Sequence, residues 1–108
     1  MIIYNVTIHV DDDIAADWLQ WMLEVHIPDV MKTGYFQSYR MMRIIKHGEE
    51  GVNYAVQYTC ESMTDLHQYQ IKRAPALQAV HRARYGSKAV AFRTLMEDVT
   101  PQEVKGEE

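Results

Sequence analysis

The side chains of this chain that could do chemistry recur at every second position of two strand-like segments. Asn5, Thr7 and His9 alternate with apolar residues in the first segment, and Gln57 and Thr59 do the same in the second. Alternation of this kind places one set of side chains on a single face of a sheet. The amide, hydroxyl and imidazole groups gathered on that face could hydrogen-bond a small polar molecule.

Arg93 and His26 extend this candidate site. Arg93 joins the same face if Val90 and Phe92, its neighbours on a later strand, point into the core. His26 lies just before Pro28, where a helix loses backbone hydrogen bonds, so its ring either bonds the freed carbonyls or acts as a base or ligand contact. The sequence leaves both roles open. The predicted ligand-binding residues are Asn5, Thr7, His9, His26, Gln57, Thr59 and Arg93, and no catalytic residue is assigned.

The remaining histidines and the cysteine do not form a recognisable metal or nucleophile motif. His67 and His81 would lie about 21 Å apart on one helix at 1.5 Å per residue, which is too far to share an ion. Cys60 is the single cysteine and is predicted to face the core, so neither a disulfide framework nor a Cys–His nucleophile is indicated. We therefore predict no metal site and no resident cofactor.

The elements that must position these residues follow a doubled strand–helix–strand pattern, with a proline inside each helix and a glycine after it. In order, they are a strand at 2–10, a helix containing Pro28 and closed by Gly34, a strand at 35–46, a hairpin loop at 47–51, a strand at 52–60, a helix containing Pro75 and closed by Gly86, and a strand at 88–98. Two such units predict an α+β, ferredoxin-like βαββαβ domain over 1–98. Its antiparallel sheet has four strands, the first and third in the middle, with two helices on one face. Residues 99–108 are predicted to be a polar tail that frays.

Apolar periodicity predicts which helix residues face the sheet. The stripe of the first helix is Ile14, Trp18, Met22 and Val25, and that of the second is Leu66, Tyr69, Leu77 and Val80. The strand at 35–46 has apolar residues on both sides, so its inward face is not assigned.

The sheet face away from the helices is unusual in composition. Its two central strands carry uncharged hydrogen-bonding groups there, where a freely solvated face would collect lysine and glutamate. Such groups suit a half-buried polar cavity. Two copies packed sheet to sheet would form that cavity, which predicts a homodimer with a small-molecule ligand; a monomer with a hydrated face is the alternative.

Bulk properties limit the remaining possibilities. The chain has 108 residues, a net charge of −4, no signal-peptide pattern and no apolar run long enough for a membrane span, so we expect one cytoplasmic domain with no membrane partner. The acidic balance argues against nucleic acid. The stretch 72–93 nevertheless contains six basic residues and no acid, so it is either a solvated helix face or a surface for an acidic partner.

Several motifs resemble a known family. They are Trp18-Leu-Gln-Trp21-Met22, His26-Ile27-Pro28-Asp29-Val30, Thr33-Gly34-Tyr35-Phe36, Tyr54-Ala-Val-Gln57-Tyr58, Ala74-Pro75 and Ala91-Phe92-Arg93-Thr94-Leu95. Together they resemble a small bacterial family known as domain of unknown function 4286, over residues 1–98. The resemblance implies the ferredoxin-like fold and a paired assembly, and it carries no catalytic residue over.

A more distant resemblance, through His26-x-Pro28, is to the dimeric α/β-barrel superfamily, which includes small monooxygenases, haem-degrading enzymes and ligand-sensing modules. Three functions therefore stay open. The first is a homodimeric module that binds a small molecule in a polar cavity. The second is a cofactor-independent monooxygenase in the same cavity, or a haem-degrading enzyme using Asn5 with His81 or His67, although no strand-three tryptophan accompanies them. The third is an interaction protein that uses 72–93.

Overall fold

The computed structural model describes residues 1–101, and it contains a four-stranded antiparallel sheet with the helices packed on one face. The elements are β1 (Ile2–Val10), α1 (Ala15–Trp21), a π-turn (Met22–His26), α2 (Ile27–Lys32), β2 (Ser38–Ile44), β3 (Val52–Cys60), α3 (Met63–Lys72), α4 (Ala74–Tyr85) and β4 (Ala89–Glu97). The strand order β2-β3-β1-β4 confirms the predicted ferredoxin-like fold with β1 and β3 in the centre. The predicted tail lies mostly outside the described residues, since 102–108 are not among them.

Strand register determines which side chains the helices cover. Tyr4 of β1 lies opposite Tyr58 of β3, and the alternate residues of β3 from Tyr54 to Cys60 are buried, as predicted. Cross-strand partners share a face. Met41 of β2 lies opposite the buried Val56, so the inward face of β2, which the sequence left open, carries Met41.

The prediction for β4 is wrong. Arg93 pairs with Val6 and therefore lies on the helix-covered face, whereas Phe92 pairs with Thr7 and is 65% exposed on the other face. Both faces of this strand carry apolar residues, so alternation alone could not orient it. The small Ala89 is buried on the helix side, and its size suits a strand edge against which α4 packs closely.

The first helical segment contains the interruption predicted at Pro28, in the form of a π-turn just before it. Proline lacks an amide hydrogen and its ring crowds the carbonyl four residues back, here that of Glu24 inside the turn. The extra residue of a π-turn shifts the phase of the helix by one position. Val25, predicted to be core, is therefore 42% exposed, while Ile27 and Val30 are buried.

The second helical segment shows a similar change of phase. It breaks at Arg73, and Pro75 stands in the first turn of α4. Leu66 of α3 is buried as predicted, but Val80 of α4 is 54% exposed. A helix that restarts at Ala74 turns His81, one residue later, toward the sheet instead.

The β2–β3 loop is tied to the first helical turn. The amide of Gly51 donates to Asp12 Oδ2 at 3.0 Å, and Gly51 has a φ of 83°. A Cβ placed on Gly51 would lie 2.5 Å from the ring of His9. Gly48, in the same loop, has a φ of 74° with no atom within 4 Å of such a Cβ.

Alanine variants of these two glycines together measure the energetic cost of the close approach between position 51 and the His9 ring. We expect Gly51→Ala to lower the free energy of unfolding by about 1–3 kcal/mol more than Gly48→Ala, because both residues incur positive-φ strain but only the first collides with His9. Denaturant unfolding of the two variants measures the difference. Equal losses would show that the His9 ring moves aside freely.

Candidate functional site

A cavity of about 270 Å³ lies between the helices and the sheet. Its floor is formed by buried residues of β1 and β3, and its sides come from the π-turn, α2, α3, α4 and β4. The main wall residues are Tyr4, Val6, Ile8, Met22, Val30, Val56, Tyr58, Tyr69, Leu77 and Ala91. The exposed lining residues are Arg82 and Gly86 near the end of α4, with Val90 and Arg93 on β4. The cavity therefore opens at the β4 edge of the sheet.

Two histidines from different helical segments meet in this cavity. The ring centroids of His26 and His81 are 5.8 Å apart, and Trp21 stacks on His26 with a centroid distance of 5.0 Å. Burial lowers the pKa of His26 to about 4, with help from His81 and Arg93 and against the opposing effect of Asp29. His26 is therefore uncharged at neutral pH.

A hydrogen bond from a buried neighbour fixes the tautomer of His81. The indole Nε1–H of Trp18, a fully buried residue, donates to His81 Nε2 at 3.0 Å. Because that nitrogen accepts a hydrogen bond, the ring proton of His81 must be on Nδ1. Protonating Nε2 would also leave the indole N–H without its partner. Burial and the nearby charges of Arg93 and Arg82 also lower the pKa of His81, which favours the same uncharged form of the ring.

Arg93 supplies a permanent positive charge at the cavity. Its Nε donates to the hydroxyl of Tyr4 at 2.9 Å, and Tyr4 is itself buried and stacked on Phe36 with a centroid distance of 6.0 Å. Among residues 1–101, no carboxylate forms an ion pair with Arg93. The terminal nitrogens of the guanidinium are thus free of any acidic partner in the described chain.

A network outside the cavity fixes Trp21. The hydroxyl of Tyr85 donates to Asp17 Oδ2 at 2.8 Å and accepts from Arg84 Nε at 3.0 Å. The Arg84 guanidinium carbon lies 5.3 Å from the centre of the Trp21 ring. This network joins α1 to α4 and holds the indole over His26.

The predicted site residues fall into two groups on opposite faces of the sheet. His26 and Arg93 line the cavity, whereas Asn5, Thr7, His9, Gln57 and Thr59 lie on the uncovered face. The expectation that Arg93 belongs with those five is contradicted by its register with Val6.

Four of the five uncovered-face residues hydrogen-bond one another or their neighbours. Asn5 Nδ2 donates to Thr7 Oγ1 at 3.0 Å, His9 Nδ1 lies 3.0 Å from Asn53 Oδ1, and the hydroxyls of Ser38 and Thr59 are 2.7 Å apart. These hydrogen bonds engage side chains that the sequence predicted to contact a ligand. Their participation in binding stays a prediction.

Sequence reasoning missed the roles of His81, Tyr4 and Trp18. His81 was considered only as a metal or haem ligand, and a signal for its inward direction was available in Pro75. A helix restarted at that proline places Ala74, His81 and Tyr85 on one face. The Arg93–Tyr4 contact, which joins positions 89 residues apart, has no local signal.

Metal and thiol chemistry find little support in the described part of the chain. No group of three His, Cys, Asp or Glu side chains within residues 1–101 could hold a metal ion. Burial raises the pKa of the Cys60 thiol, so the cysteine is a core residue, as predicted, and a poor nucleophile. Within the same residues, no helix combines the length and apolar character of a membrane span.

The family comparison is decisive about membership. A family model described as a domain of unknown function, DUF4286, matches residues 1–99. The chain belongs to this family. A comparison with curated proteins finds no significant match.

Solved structures share the fold of this DUF4286 protein. The haem-degrading protein MhuD of Mycobacterium tuberculosis matches with a TM-score of 0.70 and 22% identity, covering 95% of this chain and 100% of that one. A Deinococcus radiodurans protein named as an antibiotic biosynthesis monooxygenase gives 0.60 at 13% identity, covering 98% and 100%. A dimeric ferredoxin-like protein from an uncultured marine organism gives 0.56 at 13% identity, covering 95% and 97%. At these identities the likeness establishes the ferredoxin-like fold and leaves activity open.

The lowered pKa of His26 predicts how stability depends on pH. Its folded pKa of about 4 lies below the unfolded value of 6.5, so the unfolded chain binds more protons between these values and the folded state loses stability as pH falls from 6.5 to 4. His26→Gln should reduce this slope by up to about 1.4 kcal/mol per pH unit. Urea unfolding at several pH values measures it, with His67→Gln, at an exposed position, as the control. An unchanged slope in His26→Gln would contradict the assignment.

Proposed function

We propose that this protein is a homodimeric module that binds a small molecule in the cavity between its helices and its sheet. The observation that carries the proposal is the convergence of His26, His81 and Arg93 on one largely apolar cavity of about 270 Å³. A few polar groups fixed in an apolar hollow are the usual composition of a small-molecule site. The volume is near the lower end of such sites, which favours a small ligand.

The polar groups of the cavity are held in place before any ligand enters. Trp18 fixes His81, Trp21 stacks on His26, and Tyr4 fixes Arg93. Burial raises the pKa of Tyr58 and of Tyr69, so both phenols stay protonated and can donate hydrogen bonds. Groups held in this way lose little further freedom when a ligand binds, which favours affinity.

The uncovered sheet face supports the homodimer. Phe92 and Val90 of β4 and Met42 and Ile44 of β2 are exposed at the two edges of that face. Between them lies the half-buried polar centre that includes Asn5. An apolar periphery around satisfied polar groups suits a second copy of the same face. Dimerisation and ligand binding would then use opposite faces of the sheet, not one cavity between facing sheets.

The monooxygenase-like alternative is favoured by the position of His26, which shares the cavity with Arg93. Its imidazole is uncharged but, with a pKa of about 4, it is a weak base, so it can remove a proton only where the Arg93 guanidinium stabilises the resulting anion. Removing a proton is the first step by which an organic substrate can react with oxygen without a cofactor. A proton acceptor and a fixed cation in one cavity are what that step requires.

The haem-degrading alternative does not fit these residues. The lone pair of His81 Nε2 is occupied by the Trp18 indole, so it is not free to ligate iron. Asn5 lies on the opposite face of the sheet from the cavity, and His67 is exposed on α3. The residues expected to act together are therefore separated by the sheet or already engaged.

The interaction-protein alternative loses part of its basic surface to ion pairs within the chain. Lys88 pairs with Asp13, and Arg84 pairs with Asp17. Two of the six basic side chains in 72–93 therefore have an acidic partner. Such residues offer less charge to an acidic partner.

A cavity-filling substitution tests the proposed site. Ala91 lines the cavity from β4, so Ala91→Leu should occupy the space and abolish binding, while Ala79→Leu on the exposed side of α4 should not. Thermal unfolding is measured with a panel of small neutral, cationic and anionic molecules. A true ligand at ten times its Kd stabilises the wild type by about 1.4 kcal/mol. Ligands that stabilise wild type and Ala91→Leu equally would overturn the site.

A charge on the uncovered face tests the assembly. Phe92→Asp should dissociate the dimer, because it places an acidic group in an apolar contact. Ile71→Asp, on a residue of α3 that is 72% exposed, introduces the same charge away from the sheet and should leave the dimer intact. Sedimentation velocity at micromolar concentration measures both. A monomeric wild type at that concentration would refute the homodimer.

A further inference from the structure

The cavity's charge points to the kind of molecule it takes. From its residues we infer that the ligand is a small monocarboxylate with an apolar body, whose carboxylate is bound by the guanidinium of Arg93 at the cavity mouth. This inference rests on the proposed small-molecule function and goes further by naming the class of ligand.

Arg93 is positioned as a preformed carboxylate receptor. Its Nε is engaged by the Tyr4 hydroxyl at 2.9 Å, which restrains the plane of the guanidinium. Its terminal nitrogens have no carboxylate partner among residues 1–101. A guanidinium held by one edge presents its other donors in the geometry that binds a carboxylate, with two parallel hydrogen bonds.

The charge around the cavity favours an anion. Arg82 and Arg93 line it, and none of the described lining residues is an aspartate or glutamate. Two acids of the neighbouring elements form ion pairs, Asp13 with Lys88 and Asp17 with Arg84. A third, Asp29, acts on His26 from outside the cavity lining. The chain as a whole is acidic, with a net charge of −4, so this positive site is a local feature and not a general property of the surface.

The walls limit the anion to one charge and require an apolar body. Beyond the mouth, the lining is aliphatic and aromatic, with Ile8, Val30, Val56 and Leu77 among its members. The two histidines are uncharged at neutral pH, so they do not add cations deep in the cavity. A second negative charge there would lose its hydration and lack a counter-charge, which is unfavourable. An apolar body gains free energy from the same walls.

Three probes of nearly the same shape separate charge from fit. Benzoate is the anion, benzamide the neutral analogue and benzamidine the cation, and terephthalate adds a second negative charge at the far end of the ring. We expect wild type to bind benzoate about tenfold or more tightly than benzamide, because a charge-assisted bidentate contact replaces a neutral one. Benzamidine and terephthalate should bind more weakly than benzoate. Isothermal titration calorimetry at pH 7 measures all four.

Variants of Arg93 and Tyr4 test whether Arg93 causes the preference for benzoate over benzamide. Arg93→Gln should remove the preference for benzoate over benzamide while benzamide binding persists, and Arg93→Lys should restore it in part. Tyr4→Phe should weaken benzoate binding severalfold, since it removes the hydroxyl that restrains the guanidinium. Lys72→Gln, which removes one positive charge from the exposed end of α3, is the control and should bind benzoate like wild type. Thermal unfolding and sedimentation confirm that each variant is folded and assembled.

The outcomes separate failure of the monocarboxylate assignment from failure of the proposed small-molecule function. If benzamide or benzamidine binds as tightly as benzoate and Ala91→Leu abolishes that binding, the cavity is a ligand site but the monocarboxylate assignment is wrong. Tighter binding of terephthalate also overturns the single-charge assignment. If no member of the larger panel binds in an Ala91-dependent manner, both the inference and the proposed function fail.

Discussion

Pro28 has no amide hydrogen, and the helix that contains it cannot complete its ladder of hydrogen bonds. The chain accommodates this with a π-turn over Met22–His26 instead of ending the helix. One added residue rotates everything after it, so Val25 is exposed and His26 turns to the cavity. The chemistry proposed for the cavity depends on that rotation, because an unbroken α-helix would direct Val25 toward the sheet.

The second histidine depends on a different restraint. Trp18 is buried against the sheet, and its indole N–H needs an acceptor there. His81 Nε2 provides that acceptor, which links α1 to α4 and fixes the ring as the Nδ1–H tautomer. The hydrogen bond that satisfies the Trp18 indole therefore also determines which groups His81 presents to the cavity. It leaves an uncharged donor in the site and removes the lone pair that a haem iron would need.

The two faces of the sheet divide the polar residues between the proposed dimer contact and the proposed binding cavity. The uncovered face carries paired amide and hydroxyl groups between exposed apolar edges, which suits contact with a second copy. The covered face carries an arginine, and the helical segments packed on it add two uncharged histidines within apolar walls, which suits a small ligand. A β-strand alternates its side chains between faces, so neighbouring residues such as Phe92 and Arg93 of β4 lie on opposite faces of the sheet.

Much of the architecture was readable from local patterns. Alternation on β1 and β3 and the doubled order of elements determined the ferredoxin-like fold. Burial of Trp18, Leu66 and Cys60 also followed from periodicity. These features depend on residues close in sequence, whose preferences act within one strand or one turn. The sequence also identified His26 and Arg93 as candidates, from their residue types and positions.

What the sequence could not determine was where those residues point. The direction in which Arg93 points depends on the pairing of β4 with β1. The directions of His26 and His81 depend on how each helical segment resumes after its break. Shifting a strand or helix by one residue reverses or rotates its side chains, and strands with apolar residues on both sides do not specify the choice. The sequence by itself determined the fold and a list of candidate residues. Tertiary packing decided which of them share a cavity, because that depends on contacts between positions as distant as Tyr4 and Arg93.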